Sequence, residues 1–571
     1  MTGQRAHAWL ALAMLLVMLP LLPQSVAPLN DLYDHIGRYH IMASIDRSGD
    51  LQRHWMLQPA WIGNLGVDLL VVPLARWIGV EPATRVVVTL LPALFVGGLA
   101  LVMRARGQVL SPLTGFAAAL AYHQAFQLGF VNYALATALA FAALALWIRW
   151  AERPALRSIT FAGIGLLLWT THSSGWGIFG LMAWASDVAM RRERGTGWTP
   201  ACLSAALACV PLLLPLAVMA TGPATDVGEV AWNFTVKAAW IASLVRDRWR
   251  WFDVAGAIVL VGLAWTALRR PDWRFDPVIG AAGAILLVAF ALLPRIALNG
   301  AYVDMRVLAP AVALLLVAVR IDSSRQAARL FGWGMAFLAV RMAATAASFV
   351  LLGQARDETA MAIAAMPRGT TVLTLVDEPC SSAWSSDRLG HVAGLAIARR
   401  DVFTNSQWAI AGQQWIRPRY PESLAYRTDP SQLVYPKACE YRTTDLGEAL
   451  RTFDRHIYRH VWLIGFDRIA VPGDLVPVFR NRRSTLYAVR PAERPRTLAG
   501  TPFPPLKAAD AGGQAQLVAD AVVRRVDGGA GGDPALVARH SADGRPARPY
   551  GALSRPAAMG HRTGAMVPRL V

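Results

Sequence analysis

The sequence predicts an α-helical polytopic membrane protein with about eleven transmembrane helices, a small α/β outer soluble domain and a disordered C-terminal tail. Three observations carry this prediction. Hydrophobic residues make up 55% of the 571 and charged ones 16%, with a mean hydropathy of +0.37, too apolar for a soluble chain. The apolar character saturates up to about Leu352 and then gives way to a polar remainder. The basic residues, of which only Lys237, Lys437 and Lys507 are lysines, fall in short loops between apolar runs and in the tail. A net charge of +19 distributed in this way reads as a positive-inside topology and not as a nucleic-acid surface.

The first apolar run, 9–22, follows a short N-terminus that carries Arg5. A signal peptide competes with this reading, because Ser25-Val26-Ala27 resembles a cleavage site. Pro28 directly afterwards disfavours cleavage, so a retained anchor with a cytoplasmic N-terminus is expected. Residues 41–60 are polar and include Trp55, and Trp61 follows, an interfacial composition. The segment 62–80 is apolar but contains Asn64, Asp68, Pro73 and Arg76, and is expected to lie along the membrane surface. Ten further spans are expected at 84–103, 110–129, 133–150, 158–171, 175–190, 201–220, 253–268, 277–293, 307–319 and 330–352. With eleven spans in all, the basic loops at Arg104/Arg106, 149–157, 191–194, 269–274 and 320–329 share one side. Counting 62–80 as a crossing would put all five outside.

The outer side then receives an opening loop at 29–83, the turn 130–132, His172-Ser173-Ser174, the long loop 221–252 and everything after Leu352. In that long loop Trp232, Trp240, Trp249 and Trp251 alternate with Lys237, Arg246, Arg248 and Arg250. This composition suits a helix at headgroup level beside a lipid phosphate, and equally an ordinary aromatic belt. The transmembrane domain is thus 1–352, and a soluble α/β domain is expected over 353–493. Helices are expected there at 357–366, 391–398 and 445–453, buried strands at 370–376 and 460–465, and an edge strand at 484–489. Cys202 and Cys209 lie inside a span as core thiols, while Cys380 and Cys439 in the outer domain are compatible with a disulfide in an oxidising space. Residues 494–571, rich in Ala, Gly, Pro and Arg, are expected to be disordered.

Chemistry concentrates in Asn30-Asp31-Leu32-Tyr33-Asp34-His35-Ile36-Gly37-Arg38-Tyr39-His40. A dense ionisable cluster at the mouth of a membrane bundle is costly to keep dry and should line a wet cavity. Asp31 is a good N-cap type, and the bland reading is a pair of surface caps. If Asp31 caps, however, Asp34, His35 and Arg38 stack on adjoining faces just inside. Carboxylate, imidazole and guanidinium then supply a base, a candidate metal ligand and a phosphate clamp. On the same side, Asp304 and Arg306 open a span near Arg295 and are candidates for orienting a phosphate, with an interfacial salt bridge as the alternative. His172 at a helix end is a weaker candidate, and Asn132-Tyr133 reads as a turn. No P-loop, G-x-S-x-G, H-E-x-x-H or C-x-x-C is present.

This order of features resembles the GT-C membrane glycosyltransferases, which use polyprenyl-phosphate sugars, along roughly residues 1–490. The motif from Pro28 to Arg38 is similar to the D-x-x-[ND]-H-x-x-R string of uncharacterised bacterial members. The chain lacks a WWDYG-type signature, which argues against protein N-glycosylation. The resemblance implies a bacterial inner-membrane enzyme with its C-terminal domain extracytoplasmic. It implies a polyprenyl-phosphate sugar donor held among membrane lipid, and an envelope glycan, lipid or protein as acceptor. It also implies Asp31 or Asp34 as the catalytic acidic residue; from their own chemistry and placement, His35, Arg38, His172, Asp304 and Arg306 are expected to bind substrate. Relatives differ in their need for a divalent metal, so the resemblance leaves a metal open. A non-enzymatic transporter or flippase is the competing reading, and would place charges along a path across the bilayer.

Overall fold

Apolar runs with few breakers satisfy their backbone internally only as helices, and the chain up to Ala360 is nearly all helix. The computed structural model describes residues 3–222, 230–297, 300–378, 384–410, 412–420, 432–434, 445–467 and 469–490. It divides the chain into a unit Met1–Ala492 and a unit Glu493–Val571, and the second falls outside the described residues together with Cys380, Cys439 and the expected tail.

Helix α1 (Gly3–Met18) tightens into a 3₁₀ turn at Pro20. Three short helices then fill the opening loop: α2 (Leu32–Ser44), α3 (Gly49–His54) and α4 (Gly66–Ile78). Helix α4 is two-faced, with Val67, Asp68, Val71 and Ala75 inside and Leu69, Leu70, Trp77 and Ile78 exposed. Gly79, at φ +86°, makes the sharp exit into α5 (Val80–Ala105), a conformation that side-chain-bearing residues resist.

The expected span 110–129 is instead broken into α6 (Thr114–Ala119), a 3₁₀ turn at Leu120–Tyr122 and α7 (Gln124–Gln127). Residues 113–127 are all buried, so this irregular backbone is screened by protein. The Gln124 N–H, for example, donates to the Leu244 carbonyl at 3.2 Å. There follow α8 (Val131–Arg149), α9 (Pro154–Thr171), α10 (Ser173–Glu193), the pair α11 (Trp198–Ala208) and α12 (Leu214–Thr221), and α13 (Phe234–Ala242). The bundle closes with α14 (Arg250–Arg269), α15 (Pro277–Leu292), α16 (Val303–Val317) and the 37-residue α17 (Ser324–Ala360). Among the described residues five helices are long and apolar enough to cross a membrane, and six if the α11–α12 pair, bent by 46°, is one span. The expectation of eleven also counted α9 and α10, diluted by polar residues, and the short α15 and α16.

At one end of the bundle, arginines and carboxylates from several connections meet. Asp276 receives Arg106 at 2.9 Å and Arg320 at 2.8 Å, Arg106 also reaches Glu193 at 2.6 Å, and Arg157 pairs with Asp187 at 2.8 Å. These belong to the loops whose basic residues share a side in the topology count. Arg341, the mid-span cation, pairs with Asp253 at 2.9 Å. Helix α17 runs eight residues past the boundary expected at Leu352 and delivers the chain to a mixed sheet.

The sheet has the order 475–480, 484–489, 460–464, 371–377 and 403–404, with 433–434 also beside 371–377. Strands 460–464 and 403–404 run parallel to 371–377, and 484–489 runs antiparallel to 460–464. The segment 484–489 is therefore an interior strand, and the edge is 475–480, whose mixed, mostly exposed pattern hid it in the sequence. Helices α18 (Gly394–Arg400) and α19 (Leu446–Thr452) complete the region. A small ribbon of 55–57 with 416–418 ties the opening loop to it.

Candidate active site

The start of α2 is held by backbone contacts before any side chain acts. Arg356 donates to the Val26 carbonyl and Arg388 Nη1 to the Pro28 carbonyl at 3.0 Å, so two buried guanidiniums clamp the approach. The Asp31 N–H donates to the Leu128 carbonyl at 2.9 Å. Gly129, at φ +95°, lies so close that a Cβ there would stand 2.8 Å from that nitrogen.

Helix α2 then meets α18 through two glycines. A Cβ on Gly394 would lie 2.1 Å from the Tyr33 carbonyl oxygen, and one on Gly37 would lie 3.0 Å from the Gly394 carbonyl oxygen. Only absent side chains allow this approach. It lays the segment 386–408 over the carboxylates of α2.

The outcome is a buried cluster of acids and imidazoles. His391 Nδ1 stands 3.0 Å from Asp34 Oδ2, and His391 Nε2 stands 3.8 Å from Asp31 Oδ1. The Ser406 hydroxyl donates to Asp34 Oδ1 at 3.5 Å, and Asn30 Nδ2 donates to Asp31 Oδ1 at 2.9 Å. Asp31 occupies the N-cap position of α2 without capping, so its carboxylate is not engaged by the helix end. Asp34 is 0% exposed and Asp31 6%. Trp408 covers the imidazoles, its ring 4.7 Å from His391 and 6.0 Å from His35. Burial, followed by the Arg38 charge, pushes the His35 pKa well below its ordinary value. His35 is therefore neutral at pH 7, stacked on Tyr39.

Two other candidates join from the bundle. Arg306 lies over Phe130 at 4.8 Å, donates from Nη1 to the Ser174 hydroxyl at 3.1 Å, and is within electrostatic reach of Asp31. His172 caps α10 by accepting the Ser174 N–H at 3.0 Å on Nδ1, and its ring packs edge-on to Tyr133. Asp31, Asp34, His35, His172 and Arg306 thus converge.

Arg38 and Asp304 each hold an ion pair with a residue outside the opening motif. Arg38 is bound through two nitrogens to Asp68 at 2.8 and 3.1 Å, and Asn132 donates to the same carboxylate at 3.0 Å. Asn132 also accepts the Val67 N–H at 2.7 Å, so the residue read as a turn fastens α8 to α4. Asp304 pairs with Lys237 at 3.0 Å, whose ammonium also donates to the Phe290 and Leu293 carbonyls at 2.7 and 2.9 Å. That ion pair closes the C-terminal end of α15. Lys237 and Trp240 are accordingly buried, while Trp232, Trp249 and Trp251 of the same loop are exposed. Among the described residues no group of three His, Cys, Asp or Glu is arranged to hold a metal ion.

His391, Ser406 and Trp408 escaped the sequence reading. His391 stood in a run that reads as an apolar helix, and no local spacing links it to α2.

No family model matches the chain, and no curated protein matches it. Among solved structures, the chain is similar to ArnT from Cupriavidus metallidurans bound to undecaprenyl phosphate, at 12% identity and a TM-score of 0.46, over 86% of this chain and 98% of that one. It is also similar to the arabinofuranosyltransferase AftD from Mycobacteria, at 14% identity and a TM-score of 0.43, over 85% of this chain and 40% of that one.

Proposed function

We propose that the protein is a membrane glycosyltransferase of the GT-C type, moving a sugar from a polyprenyl-phosphate donor to an envelope acceptor on the extracytoplasmic side. The observation that carries this reading is the convergence of Asp31, Asp34, His172 and Arg306 at the end of the bundle opposite the Asp276 arginine cluster. A carboxylate beside a guanidinium at such a place suits a reaction that generates both a proton and a phosphate leaving group.

In this reading Asp31, the more accessible of the two carboxylates, takes the proton of the acceptor hydroxyl. The acceptor oxygen bonds to the anomeric carbon while the bond from that carbon to the phosphate oxygen breaks, its electron pair remaining on the polyprenyl phosphate. Arg306, resting on Phe130 and steadied by Ser174, faces that developing charge. The apolar tail of the donor lies against the bundle. Asp34, fully buried beside His391, holds the cluster in shape.

The test is sugar transfer by purified protein, with synthetic polyprenyl-phosphate pentose, hexose and aminosugar as donors and envelope extract as acceptor. Asp31→Asn is expected to lower transfer by about 10²- to 10⁴-fold and Arg306→Gln by about 10²- to 10³-fold, both with an unaltered unfolding temperature. Full activity in Asp31→Asn would remove Asp31 as the base.

A further inference from the structure

We infer that the sheet region contributes a working part of the transfer site: His391, a positioning residue that acts through Asp31. This inference rests on the glycosyltransferase reading and extends it to a residue from the other half of the chain.

The contacts are directional. His391 stands between the two carboxylates, Nδ1 3.0 Å from Asp34 Oδ2 without the alignment of a hydrogen bond and Nε2 3.8 Å from Asp31 Oδ1, so the relay needs a small turn of the ring that brings Nε2 onto Asp31. Trp408 over the ring and the α2–α18 glycine contact fix its plane and position. The segment before it is tied down by Arg388, to Asp247 at 2.9 Å, to Gln127 at 2.9 Å and to the Pro28 carbonyl ahead of α2 at 3.0 Å.

Asp31 removes the acceptor proton as the new glycosidic bond forms and the phosphate departs. The carboxylic acid of Asp31 then passes that proton to His391 Nε2, which regenerates the carboxylate and leaves an imidazolium. Release of the proton to solvent resets the pair. Among the described residues, the ionisable groups facing His391 include Asp31, Asp34 and His35 from α2 and Glu378 from the end of the 371–377 strand, with Arg388 on its own segment turned to Asp247. His35 is held neutral, so the acids around His391 set its response.

The experiment compares wild type, His391→Gln and His391→Asn in two assays. In the transfer assay with the synthetic donors above, the glutamine variant is expected to lose about 10- to 100-fold in kcat with little change in donor KM. Its pH–rate profile should lose the limb that reports His391. An unchanged profile, with or without a loss of rate, would overturn the relay. The second assay needs no activity: the unfolding temperatures of Asp34→Asn, His391→Gln and the double variant should be non-additive. Additive shifts would overturn the pairing itself. A protein that transfers none of the donors yet shows non-additive shifts would sink the glycosyltransferase reading while leaving the His391–Asp34 contact standing.

Discussion

At the scale of single residues, charges that look alike in the sequence divide into two kinds. Asp31 and Arg306 are within electrostatic reach of each other without an ion pair, whereas Arg38 pairs with Asp68 and Asp304 with Lys237. Removing one partner of a buried pair leaves the other uncompensated, at about 3–5 kcal/mol. Lys237→Met is therefore expected to lower stability on that scale, with residual folded protein keeping its donor KM. A Lys237→Met protein of normal unfolding temperature would show that the pair with Asp304 is not structural. The distinction was hidden in the sequence because a carboxylate carries no mark of its partner. Asp68 lies thirty residues beyond Arg38, on a helix noted only for its surface character.

At the scale of elements, the 371–377 strand shows how burial sets a titration. Its end places Glu378 in a largely covered position, with Ser386, His391 and further acids around it. Burial pushes its pKa up to about 7 from an ordinary value of 4.5. Between those two values the folded protein keeps a proton that the unfolded chain has lost, so stability falls as pH rises from 4.5 to 7 and is level above. Glu378→Gln should flatten that slope and stabilise the protein at pH 8 by on the order of 1–3 kcal/mol, read as unfolding temperature in detergent across the range. An identical slope in the variant would mean that Glu378 does not carry the effect. The strands at 371–377 and 460–464 and the helix at 446–452 follow from periodicity, because β-branched apolar runs and a 3.6-residue repeat are local signals. The edge strand 475–480 and the broken segment 110–129 do not, since both are decided by what covers them.

At the scale of the molecule, the chain alternates between two ends. The arginine connections gather at one and the opening motif at the other, joined there by the sheet region. In a background with the four native cysteines replaced by serine, Pro59→Cys and Ser324→Cys should react with a membrane-impermeant thiol reagent from opposite faces of a sealed membrane. The arginine end is expected on the cytoplasmic side. Labelling of both from one face would break the topology. The mid-bundle cation Arg341 is paired with Asp253 and donates to the Val245 carbonyl.

Composition, arginine placement and apolar periodicity were enough to determine a mostly helical chain of apolar helices with a small sheet region, and the α2 motif was enough to mark where to look for a site. Hydropathy and charge asymmetry are additive properties that survive without coordinates. The tertiary structure alone decided which charges pair, that α2 and α18 touch through glycine, and that His391 stands between Asp34 and Asp31. Those facts depend on approaches of a few ångströms between segments far apart in the chain, and no local pattern of residues encodes such an approach.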